Sequence, residues 1–116
     1  MRDTTVQIGA RAEDGAAAAL HGAGYRIVER NYRCKAGELD IIAREGDVLA
    51  FVEVRSRVDG DHGHAAEMVS FAKRRQVARI AAYYLAVKRP EIERVRFDVV
   101  AITGGEIEII KDAWRL

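Results

Sequence analysis

Apolar positions along the chain change period several times, and the changes mark its elements. From about Thr5 to His21 they recur at helical spacing, with Gly9, Ala12, Ala16, Ala19 and Leu20 on one stripe and the "HGAG" at 21–24 as a stop. Gly15 weakens this helix by about 1 kcal/mol relative to alanine, so packing must hold it. Residues 25–33, "YRIVERNYR", alternate instead: Tyr25, Ile27 and Glu29 are set against Arg26 and Val28, which predicts a strand. "ELDIIAR" (38–44) and "VLAFVEVR" (48–55) are two more strands, rich in β-branched residues. "VDGDHGH" (58–64) breaks the pattern as a loop. A second helix is predicted from about Ala65 to Lys88, with Met68, Phe71, Ala72, Val77, Ile80, Ala81, Tyr84 and Leu85 as apolar positions. Pro90, the single proline, follows it as a stop. "RVRFDVVAI" (94–102) and "EIEII" (106–110) face each other across Gly104-Gly105 as a hairpin. The order αβββαββ implies an α/β fold, a single mixed β-sheet of about five strands flanked by helices, and one domain over 1–116.

Composition narrows the class without naming a function. Hydrophobic residues make up 49% and charged residues 32%, ordinary for a globular protein. Cys34 is the single cysteine, which excludes an internal disulfide or a cysteine metal cage and suits a reducing compartment. No apolar run approaches the roughly 18 residues needed to span a bilayer, and residues 1–15 lack a secretory pattern. A cytoplasmic protein without membrane partners is expected. Net charge is +1, but residues 71–96 hold eight Lys and Arg against two Glu, a local +6 that leaves −5 elsewhere. Such asymmetry suits an anionic partner on one face, or a solvated helix side.

The two central strands carry an anomaly. A two-residue turn at Gly46-Asp47 places Glu45 opposite Val48, Ile42 opposite Phe51 and Asp40 opposite Glu53. Leu39, Ile41 and Ala43 then share one apolar face with Ala50, Val52 and Val54. The two carboxylates would lie about 4.5–5.5 Å apart at Cβ. Like charges so close oppose folding unless one is protonated or a cation intervenes. Oxygen donors alone suit a hard ion, Mg2+ or Mn2+, better than zinc. Arg55 projects beside Glu53 and could steady a phosphate or an attacking water. Glu13 sits within or at the edge of the first helix's apolar stripe and needs a partner there. Structural ion pairs would answer as well: Asp40 with an arginine, Glu53 with Arg26 or Arg33.

Taken in order, "RAEDGAAAALHGAGYRIVERNYRCKAGELDII", "FVEVRSR", a basic helix and "RFDVVAI" closely resemble the YraN-like family. Its members are small bacterial proteins with a restriction-endonuclease-like fold, similar to archaeal Holliday-junction resolvases. The resemblance implies a nuclease core that binds Mg2+ (or Mn2+) through Asp40, through Glu53 as the acid of an acid-x-Lys motif, and through Glu13 on the helix. It implies DNA as partner, with branched DNA among the substrates, and leaves a homodimer open. The lysine position holds Arg55, a departure: guanidinium binds phosphate bidentately but does not shed a proton near neutral pH. A non-catalytic DNA-binding module is therefore the rival reading, and an interaction protein with merely ion-paired acids is a third.

Lys73, Arg74, Arg75 and Arg79 on the second helix are the candidate nucleic-acid contacts, sequence-independent and salt-sensitive. Lys73 shares a helix side with Gln76 and is the candidate substitute for the missing lysine. His62 and His64 could bind zinc only with two further ligands. Arg96 and Asp98 read as an ion pair, Trp114 as packing, and Asn31 with Tyr32 as bracing of the site edge.

Overall fold

A computed structural model describes residues 5–57 and 69–115. Helix α1 (Thr5–Gly22) leads into strands β1 (Arg26–Cys34), β2 (Gly37–Glu45) and β3 (Val48–Arg57); α2 (Phe71–Lys88), β4 (Arg94–Thr103) and β5 (Glu106–Ile110) follow. The strands form one five-stranded sheet in chain order. Neighbours are antiparallel except β3 and β4, which run parallel. Parallel strands cannot be joined by a tight turn, so α2 serves as their crossover. The element order and mixed sheet are those the periodicity predicts.

Strand alternation divides the core into two layers. Ile41, Ala43, Ala50, Val52 and Val100 pack with Ala16, Leu20 and Tyr25 on the α1 side. Ile42, Leu49, Phe51 and Val99 pack with Val77, Ile80, Ala81 and Tyr84 of α2 and with Trp114. Full burial of one such Ile, Leu or Phe side chain contributes about 1.5–3 kcal/mol. Burial of this kind outweighs the cost of Gly15 inside α1.

Three expectations are corrected. Leu39 belongs to the α2 layer, not to the face of Ile41 and Ala43. The irregularity is local: alternation fails around Asp40, whose side chain takes the Val54 N–H of β3, and Asn31 on the neighbouring strand, between the partners of Ile41 and Leu39, has φ 54°. Next, α2 begins at Phe71, later than predicted, because Ser70 caps it: its backbone is extended and its Oγ accepts the Lys73 N–H at 3.2 Å. Finally, Phe71 and Ala72 are exposed, Phe71 to 77%, because Val77, Ile80, Ala81 and Tyr84 define the buried face. The expected loop 58–64, with His62 and His64, lies outside the described residues, as does Met68. No helix among the described residues is long and apolar enough to cross a membrane.

Candidate active site

The β2–β3 hairpin turns at Gly46, whose φ of 59° suits glycine, and pairs from Glu45–Val48 to Ile41–Val52. This is the predicted register, and the next step would set Asp40 against Glu53. The recorded pairing stops one step short. Asp40 Oδ2 instead accepts the backbone N–H of Val54 at 2.8 Å. A side chain thus takes a strand donor, at the same level as the left-handed Asn31, and the sheet opens at this end.

Asp40 interacts with two other acids at the opening, Glu53 of β3 and Glu13 of α1. Glu53 of β3 faces α2 and is only 2% exposed. Its Oε2 lies 3.2 Å from Arg55 Nη2, and its Oε1 lies 3.9 Å from Lys73 Nζ. The second contact is an ion pair too long for a hydrogen bond, and Glu53 Oε1 has no hydrogen-bond partner. Glu13 of α1 lines a small cleft with Ala12, Asp40, Val54 and Ser56. Arg30 Nε is 3.8 Å from Glu13 Oε1, which is also without a hydrogen bond.

Electrostatics show what this geometry costs. Burial, then the Asp40 charge, pushes Glu53 up to about 7, against the pull of Lys73 and Arg55. The short Arg55 contact alone would depress a carboxylate; desolvation of a side chain this buried outweighs it. Asp40 is also raised by burial, opposed by the Val54 N–H, Lys73 and Arg55. Glu13 is raised by burial and then by Asp40, and lowered by Arg30. Asp40 therefore acts on acids to either side of it.

Among the described residues no three His, Cys, Asp or Glu side chains converge as a ready metal cage. The donor chemistry nevertheless fits a hard divalent cation. Two buried carboxylate oxygens lack a hydrogen-bond partner, the donors are all oxygen, and burial, then the Asp40 charge, makes Glu13 and Glu53 take protons more readily than usual.

The basic residues predicted on α2 divide into two groups. Lys73 turns toward Glu53. Arg74 is anchored in the fold, donating from Nε to Val69 O at 3.0 Å, with its guanidinium 5.3 Å from the Phe71 ring centroid and 5.7 Å from that of Trp114. Arg75 and Arg79 are exposed. Gln76 Nε2 donates to Ala36 O at 3.0 Å and ties α2 to the β1–β2 turn. Sequence reasoning placed Gln76 near the sheet edge but did not find this tie, which requires the bare Cα of Gly37.

On β4, Arg96 Nε lies 2.8 Å from Asp98 Oδ1, as their spacing suggests. The Tyr25 hydroxyl donates to Asp98 Oδ2 at 2.8 Å, and Arg96 also reaches Glu45. No local pattern linked Tyr25 to this pair. Trp114 is buried and stacked on Phe97, with centroids 5.2 Å apart. Tyr32 packs edge-on against Tyr84 at 5.2 Å.

The model of an uncharacterised protein family, UPF0102, matches residues 12–102. A UPF0102 protein of Syntrophus aciditrophicus is 46% identical over 115 residues, covering 96% of this chain and 91% of its own. One from Lachnoclostridium phytofermentans is 46% identical over 103 residues, covering 88% and 87%. Among solved structures, Hjc of Archaeoglobus fulgidus, a Holliday junction resolvase, superposes with a TM-score of 0.57 at 15% identity, over 87% of this chain and 73% of Hjc. At that identity the likeness speaks for the fold, the restriction-endonuclease-like arrangement that the motifs implied.

Proposed function

This chain belongs to the UPF0102 family, and from that premise and the acids at the open end of its sheet we propose that it is a metal-dependent endonuclease acting on DNA. The observation that carries the reading is Glu53: a buried carboxylate with one unpartnered oxygen, pushed up to about 7 beside a second acid. An orphan oxygen on a carboxylate this buried leaves room for a further ligand that its contacts with Arg55 and Lys73 do not supply.

Asp40 and Glu53 would hold Mg2+ or Mn2+, with Glu13 supporting from the α1 side. When bound, such an ion lowers the pKa of a coordinated water and neutralises charge building on a scissile phosphate. Arg55, already aligned on Glu53 Oε2, holds a phosphate oxygen but cannot shed its proton near neutral pH. Lys73 Nζ stands near Glu53 Oε1, where its charge joins that of Arg55 in holding the phosphate and the charge that builds on it. The likeness of the fold to a resolvase supports DNA as substrate, branched DNA included.

A second reading, a DNA-binding module without cleavage, is favoured by one observation: arginine at position 55. Titration of Mg2+ and Mn2+ against branched, linear duplex and single-stranded DNA tests both. The nuclease reading requires cleavage that is lost in Glu53→Ala with the fold intact; unchanged cleavage in that variant refutes the site. If wild type is silent and Arg55→Lys cleaves, the module is a nuclease core limited at this one position.

A further inference from the structure

Helix α2 breaks two rules of stable helices. Across its 18 residues, "FAKRRQVARIAAYYLAVK", it carries five Lys and Arg and no carboxylate. Three of these, Lys73, Arg74 and Arg75, sit near its N-terminus, where the macrodipole disfavours cations and rewards acids. A large aromatic is also left in solvent: Phe71 is 77% exposed. Position 71 begins an i, i+4 series through Arg75 and Arg79 to Tyr83, and all four are exposed, Tyr83 to 40%. The series spans about 18 Å along the helix. Among the described residues, no ion pair engages Arg75 or Arg79. Arg74 holds a position over the Phe71 ring, 5.3 Å from its centroid, so the ring is steadied on one side while most of its surface stays open.

We infer that the outer face of α2 is a binding track for single-stranded nucleic acid, with bases stacking on Phe71 and Tyr83 and phosphates meeting Arg75 and Arg79. Alternating aromatic and guanidinium groups give an unpaired strand both things it offers, π-faces and regularly placed charge. A duplex hides its base faces and can use only the arginines. An acidic protein would answer the charge but not a steadied, solvent-facing ring. The track and Lys73 share the first turns of α2, so a strand lying along it leaves at the helix end where Lys73 meets Glu53. The inference rests on the nuclease reading only for choosing nucleic acid over other polyanions, and it narrows the substrate to DNA with an unpaired segment.

Fluorescence anisotropy of the full chain with a labelled oligothymidylate and a matched duplex, in chelator at two salt concentrations, tests it. Tighter binding of the single strand is expected. Phe71→Ala and Phe71→Leu should each weaken single-strand binding about tenfold and spare the duplex, and Phe71→Trp should restore it. Arg75→Gln and Arg79→Gln should each flatten the salt dependence by a slope of about 0.7. Full single-strand affinity in Phe71→Leu, or wild-type preference for duplex, overturns the track. Should the Phe71 variants fail to fold, Tyr83→Leu against Tyr83→Trp makes the same comparison. Because chelator removes cleavage from the measurement, a protein without nuclease activity leaves the binding result standing. A null result at Phe71 leaves the Asp40–Glu53 site untouched.

Discussion

Lys73 Nζ of α2 stands 3.9 Å from Glu53 Oε1 of β3, an oxygen that no hydrogen bond satisfies. The ammonium is close enough to lower the acid's proton affinity but too far to cap it. It occupies the neighbourhood of Glu53 that a divalent ion would need.

Removing this charge should therefore separate binding from turnover. Lys73→Met keeps the apolar stem and should bind Mn2+ more tightly by calorimetry, because a competing cation is gone. Cleavage by the same variant should fall roughly 100-fold, because a charge that would steady the phosphate is lost. Loss of both together would make Lys73 a structural support rather than a charge used in turnover.

Glu53 also sets a pH dependence. Its folded pKa of about 7 lies above its ordinary 4.5, so between those values the folded state binds more protons than the unfolded one. Stability without metal is therefore highest below pH ~4.5 on this account and declines as pH rises through about 7. Glu53→Gln should remove most of that decline and be more stable at pH ~8, by about 2–3 kcal/mol, in urea melts of the metal-free protein. A parallel pH profile in wild type and variant would contradict the assignment.

The tie between α2 and the β1–β2 turn depends on glycine. Gly37 has φ 134°, and a Cβ there would meet Gln76 Nε2 at 2.3 Å. Gly37→Ala should cost about 1–3 kcal/mol in backbone strain alone and displace the amide that bonds Ala36. Adding Gln76→Ala should relieve the collision but not the strain. The double variant should thus lose less than the sum of the singles in thermal melts.

Asp98 should matter to stability and not to chemistry. It is fully buried, and its hydrogen bonds go to Arg96, Tyr25 and the Asp112 N–H, none of them to an acid of the candidate site. Asp98→Ala leaves the largely buried Arg96 charge short of its main partner and should cost about 3–5 kcal/mol. Tyr25→Phe should cost about 1–3 kcal/mol, by leaving Asp98 short of one donor. Cleavage per folded molecule should hold in both, measured at a temperature where each is folded.

Much of this arrangement was legible in residue order because it is local. Period-two and helical spacing decide which segments pair and which coil. The Gly46-Asp47 turn sets the β2–β3 register from Glu45–Val48 to Ile41–Val52. The motifs around Glu13, Asp40, Glu53 and Arg55 nominated the acids and the odd arginine before any coordinates. Leu39 escaped the same reasoning because strict alternation fails between it and Ile41, beside an Asp40 whose side chain takes the Val54 N–H of the next strand.

By itself, then, the amino-acid sequence determined the elements, their order, the hairpin register and the acids worth testing, all set by neighbours a few residues apart. Only the tertiary structure decided that Lys73 meets Glu53, that Gln76 clasps Ala36, that Tyr25 reaches Asp98 across 73 residues, and that Phe71 faces water. Periodicity says that a helix has a buried face. Where that face lands, and which side chains it leaves over a carboxylate or in solvent, follows from how α2 packs across the sheet.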